Sequence, residues 1–76
     1  MPPIDCLNLN LLIAFLSKLE HTLDNKPNGQ SMYKFPNKLV LNVYESGSVV
    51  FQGLGADSQL AEQIYKFIES VNAPLQ

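Results

Sequence analysis

A chain of 76 residues with a formal net charge of −2, 46% hydrophobic residues and a single cysteine makes one small folded domain. The lone Cys6 excludes an intrachain disulfide, and the apolar content excludes a disordered segment. Cys6 and His21 alone fall short of the roughly four Cys/His ligands of a zinc site.

The opening, Met1-Pro2-Pro3-Ile4-Asp5, has neither the basic start nor the small-residue cleavage site of a signal peptide. The densest apolar run, Leu11 to Leu16, is far shorter than the roughly 20 residues that span a membrane. A cytoplasmic protein without a membrane partner is therefore expected. Arginine is absent. The stretch Asn25 to Tyr44 carries Lys26, Lys34 and Lys38 and no acid, so the remainder holds all seven acids against Lys18 and Lys66.

In chain order, Leu9, Leu12, Leu16, Leu19 and Leu23 fall at steps of three and four. That spacing predicts a helix over 8–24, capped by Asp5 or Asn8 and stopped by Asn25, Pro27, Asn28 and Gly29. Residues 31–35 alternate, with Tyr33 and Phe35 on one side. Pro36-Asn37-Lys38 is a turn. Residues 39–45 alternate again, placing Leu39, Leu41 and Val43 opposite Val40, Asn42 and Tyr44. Ser46-Gly47 is a hairpin connection, and residues 48–52 form the returning strand. Asp57 or Ser58 opens a second helix over 57–72, with Leu60, Ile64, Ile68 and Val71 as its buried stripe, Glu62 and Lys66 as an exposed pair, and Pro74 beyond its end.

The order helix, antiparallel meander of about three or more strands, helix gives a two-layer α+β domain spanning 1–76. With both helices on one sheet face, the other face is open, and it carries Asn42, Tyr44 and Gln52 beside Val40 and Val50. Such a surface suits binding or oligomer formation.

No catalytic set is legible. His21 has no Cys or Ser spaced as a partner, and Cys6 suits a small buried hydrophobe near the helix start. The acids Asp5, Glu20, Asp24, Glu45, Asp57, Glu62 and Glu69 are scattered, which suits solvated surface rather than a hard-cation site. Gly53-Leu54-Gly55 precedes a helix but lacks the third glycine or the Lys-Ser/Thr of a phosphate loop. No enzyme activity, metal or cofactor is expected. Tyr33, Phe35, Tyr44 and Phe51 stand near Lys34 and Lys38. Such a set either stacks bases and holds phosphates or supplies rings to the core.

Pro27-Asn28-Gly29, Phe35, and the run Val43-Tyr44-Glu45-Ser46-Gly47-Ser48-Val49-Val50-Phe51-Gln52-Gly53 together resemble the N-terminal domain of ribonuclease HIII, whose fold is like one repeat of the TATA-binding protein. In that family a strand ending in Tyr-x-Ser-Gly-Lys-Val-x-Phe-Gln-Gly leads into the second helix. The order of elements from Leu7 to Val71 is similar throughout, and the specific part is Tyr44 to Gly53. The resemblance implies a curved antiparallel sheet, a TATA-binding-protein-like half-repeat backed by two helices, whose concave face helps hold a nucleic-acid substrate. The family's lysine after Ser-Gly is Ser48 here, and no counterpart of the catalytic ribonuclease H domain occurs in the 76 residues.

Two functions follow as expectations. One is a non-catalytic module binding RNA or DNA through the open sheet face, with Lys34, Lys38, Asn42, Tyr44 and Gln52 as the binding residues. The other is a protein-interaction module, such as a small regulator, an antitoxin-like partner or an inhibitor, acting as a homodimer. The acidic balance and the serine at position 48 favour the second.

Overall fold

The alternation read from residues 39–45 is the organising feature of the sheet. In β4 (Val40–Tyr44), Leu41 and Val43 point to the helices and are buried, while Val40, Asn42 and Tyr44 point the other way. A computed structural model describes residues 1–73. Besides β4 it contains β1 (Ile4–Asp5), α1 (Leu9–Leu16), β2 (Thr22–Asn25), β3 (Gln30–Lys34), β5 (Ser48–Gln52) and α2 (Gln59–Asn72). The five strands form one antiparallel sheet in the order β1-β5-β4-β3-β2. The domain is therefore α+β in two layers, and Pro74 lies outside the described residues.

Register explains the core. Leu41 is opposite Tyr33 on one side and Phe51 on the other, and Val43 is opposite Val49. All five are buried, together with Phe35 and Leu39. Leu12 and Leu16 of α1 and Ala61, Ile64 and Ile68 of α2 close over this layer with no exposure. The helices touch each other through Phe15 and Phe67, whose rings stack at 4.2 Å. Asn72 ties the end of α2 to the start of the chain by accepting from the Leu7 N–H and donating to the Asp5 carbonyl.

The first helix is shorter than the leucine spacing predicts. Asn8 caps it by accepting from Leu11 N–H at 3.3 Å. It ends at Leu16, where Lys18 N–H bonds Phe15 O and Leu19 N–H bonds Leu16 O, three residues back. Residues 22–24, expected to be helical, instead form β2 together with Asn25 and pair with Ser31–Lys34. Asn25 thus closes β2, and Pro27, Asn28 and Gly29 belong to a hairpin connection rather than to a helix end. The competing principle is tertiary: Leu23 faces the helix side beside Tyr33, and pairing with β3 takes up the backbone groups of Thr22 and Asp24. The second helix begins at Gln59 with Ser58 as its cap, accepting from Ala61 N–H at 3.2 Å, and Glu62 meets Lys66 at 3.3 Å.

Two tight connections set the meander. Glu45-Ser46-Gly47 joins β4 to β5, with Gly47 at φ 102°, where only glycine is unstrained. Pro36-Asn37-Lys38 joins β3 to β4, closed by Lys38 N–H to Phe35 O at 3.0 Å. Lys38 there adopts φ 69°, a left-handed conformation that costs an L-residue about 1–2 kcal/mol. Gly55 packs on this turn: a Cβ at Gly55 would stand 2.6 Å from Leu39 N. The Gly53-Leu54-Gly55 segment therefore serves close backbone packing.

Lys38→Gly is expected to raise stability by about 0.5–1 kcal/mol in denaturant unfolding, since relief at φ 69° outweighs glycine's greater freedom in the unfolded chain. Burial holds the Tyr33 phenol above its ordinary pKa. Its contribution is thus complete below the unfolded-state value near pH 10 and is lost as pH rises through the folded value. Stability is expected to fall above about pH 10, and Tyr33→Phe should make that fall shallower in unfolding curves recorded at successive pH values.

Candidate functional site

The face of the sheet away from the helices is laid out by cross-strand rows. One row is Thr22, Lys34, Val40 and Gln52; the next is Asp24, Met32, Asn42 and Val50; in a third, Gln30 is opposite Tyr44. No described helix covers this face. Val40, Met32, Val50, Tyr44 and Gln30 are half-buried, and Lys34 and Gln52 are exposed.

Asn42 stands at the centre with only 2% exposure, the one buried polar residue among those described. Burial obliges its amide to find partners. Gln30 Nε2 donates to Asn42 Oδ1 at 2.8 Å, and Asn42 Nδ2 donates to Gln52 Oε1 at 2.6 Å. The three amides form one diagonal across β3, β4 and β5. Met32 and Val50, the cross-strand neighbours of Asn42, supply its apolar flanks. An amide chain held at both ends presents its remaining donors and acceptors in fixed directions.

The charges lie at the rim. Lys26 Nζ reaches Asp24 Oδ2 at 2.8 Å. The Lys26 hydrogen bond and charge, helped by Lys34, hold the Asp24 carboxyl below its ordinary range. The centre of the face is neutral.

The five residues expected to bind are thereby sorted. Asn42 and Gln52 are in direct contact, Tyr44 shares their face two residues along β4, and Lys34 stands in the row of Gln52. Lys38 is set apart in the β3–β4 turn. Asn42 is enclosed and acts by holding its two neighbours. Of the aromatic set, Tyr33, Phe35 and Phe51 are core, and only Tyr44 belongs to the open face. Gln30 escaped the sequence reading, which began the strand one residue later. Its signal was the alternation Gln30, Met32, Lys34 continued back to the turn.

The other titratable groups form no competing site. His21 packs against Tyr33 and Phe35 at 5.2 and 6.2 Å between ring centres. Its Nδ1 meets the Leu19 carbonyl at 2.6 Å; a carbonyl only accepts, so Nδ1 carries the hydrogen. Cys6 is buried. Among the described residues no three His, Cys, Asp or Glu side chains group to hold a metal, and no helix is long and apolar enough to cross a membrane.

Asn42→Ala is expected to cost about 1–3 kcal/mol in unfolding experiments, because it removes both central hydrogen bonds and unties Gln30 from Gln52. Comparison with protein-family models, with curated proteins and with solved structures finds no match to this chain.

Proposed function

We propose that this chain is a non-catalytic binding module that takes nucleic acid on the open face of its sheet, as the resemblance to the ribonuclease HIII N-terminal domain implies, and that this face meets the minor-groove side of a duplex. The observation that carries this reading is the Gln30–Asn42–Gln52 amide diagonal on an uncovered face. Minor-groove surfaces are read by Asn and Gln amides with apolar contacts beside them, and an RNA-containing duplex offers there a wide, shallow groove with 2′-hydroxyls. Met32, Val40, Val50 and Tyr44 supply the apolar contacts, and Lys34 and Lys38 supply phosphate contacts at the rim.

The neutral centre has a measurable consequence. With Lys26, Lys34 and Lys38 as the available cations, the slope of log K against log salt should be no steeper than about −3. Fluorescence anisotropy with a labelled RNA–DNA hybrid, a DNA duplex and a single strand at low salt tests this. Duplexes should bind more tightly than the single strand, and Gln52→Ala and Lys34→Ala should each weaken binding several-fold without loss of fold. Absence of duplex binding at low salt overturns the proposal.

A protein-interaction module is the second reading, favoured by a different surface. Leu7 is 76% exposed and Leu11 and Ile13 are about half exposed, although α1 carries no charged residue. In that case the anisotropy experiment gives no signal.

A further inference from the structure

The sheet has one edge whose chemistry is complementary to itself. β2 is the terminal strand on its side, and among the described residues no strand lies beyond it. Lys26 N–H bonds Gln30 O at 2.7 Å. In an antiparallel ladder the backbone groups alternate in direction, so those of Thr22 and Asp24, even-numbered like Lys26, also face β3. The N–H and C=O groups of Leu23 and Asn25 therefore point outward from the edge. An outward row of this kind is a template for another strand.

We infer that the partner is a second copy of this chain, joined β2 to β2 in antiparallel register about a two-fold axis through Leu23. This register places outward-facing groups opposite outward-facing groups, as a ladder requires: Leu23 faces its own copy and exchanges both backbone bonds with it, and Asn25 faces His21 of the second copy. The side chains match as well. On the helix side, the half-exposed Leu23 meets Leu23 of the second copy and loses its contact with water. On the open side, Thr22 faces Asp24, hydroxyl to carboxylate. One step further out, Glu20 faces Lys26, and by symmetry the same ion pair forms twice.

Glu20 lines a small hollow with His21, Thr22, Lys34 and Phe35, at the end of the edge where β2 begins. The Lys26 ammonium uses one bond on Asp24 and has further N–H groups to give. Shifting the register by two residues in either direction sets Lys26 against Thr22 or Lys18 and Glu20 against Asn28 or Asp24, so the charges disfavour the neighbouring alignments. Closed two-fold pairing also removes the exposed edge. The two open faces then join into one continuous ten-stranded surface, whatever that surface binds.

Three measurements test this without reference to any ligand. Light scattering over rising concentration should show a dimer. Leu23→Cys in a Cys6→Ala background should form an interchain disulfide under mild oxidation, because directly opposed residues of a hydrogen-bonded pair lie about 5.5 Å apart at Cα. Asp24→Cys should not, because its copies would be diagonal, about 7–8 Å apart. Leu23→Pro removes an outward N–H and spares the bonds to β3, so it should give a folded monomer by circular dichroism and scattering.

If that variant does not fold, charge reversal decides. Glu20→Lys and Lys26→Glu should each weaken dimerisation by about tenfold, and the two together should restore it. A monomer at every concentration overturns the inference. So does a dimer that survives Leu23→Pro and fails to cross-link at position 23.

Discussion

The structure turns on β4 being the central strand of a sheet that is packed on one side only. Its two inward residues, Leu41 and Val43, draw Tyr33, Phe51 and Val49 into register beneath the helices. Its outward residue, Asn42, sits deep enough between Met32 and Val50 to lose water. A polar group in that position must be hydrogen-bonded or the strand is penalised. Gln30 and Gln52 meet that requirement from either side. The same strand thus carries the hydrophobic order of the core and the polar order of the open face.

The helix layer completes the inner side with few residues. Leu12, Leu16, Ala61, Ile64 and Ile68 are fully enclosed, and stacking of Phe15 on Phe67 joins the helices. In a domain this small such a layer leaves apolar surface outside, and Leu7, Leu11 and Ile13 show it. Three kinds of surface result: a neutral amide face with charged rims, an uncharged apolar helix, and the unpaired edge of β2. The first suits a shallow groove with hydrogen-bonding groups, and the last suits a strand of matching charge order.

Legibility followed the range of the interactions. The strands of 39–45 and 48–52 and the helix of 57–72 were readable because alternation and helical spacing each match the burial observed. The region 17–25 was misread because leucines at 19 and 23 continue a helical spacing, while the backbone there is claimed by pairing with β3. Two residues at positions 4 and 5 carry too little pattern to announce β1, which exists only because Val49 and Ser48 offer an edge. Within the site, Asn42, Tyr44 and Gln52 were placed on one face by parity alone, whereas Gln30 entered through a strand boundary set by the turn before it.

The chain by itself determined the fold class, the inward and outward sets of β4 and β5, and the presence of α2, because each rests on local periodicity or on residue chemistry. Only the tertiary structure decided that α1 stops at Leu16, that Tyr33, Phe35 and Phe51 are core while Tyr44 is not, and that Asn42 is enclosed between two glutamines. Those outcomes depend on contacts between residues distant in sequence, where strand pairing and burial override local propensity.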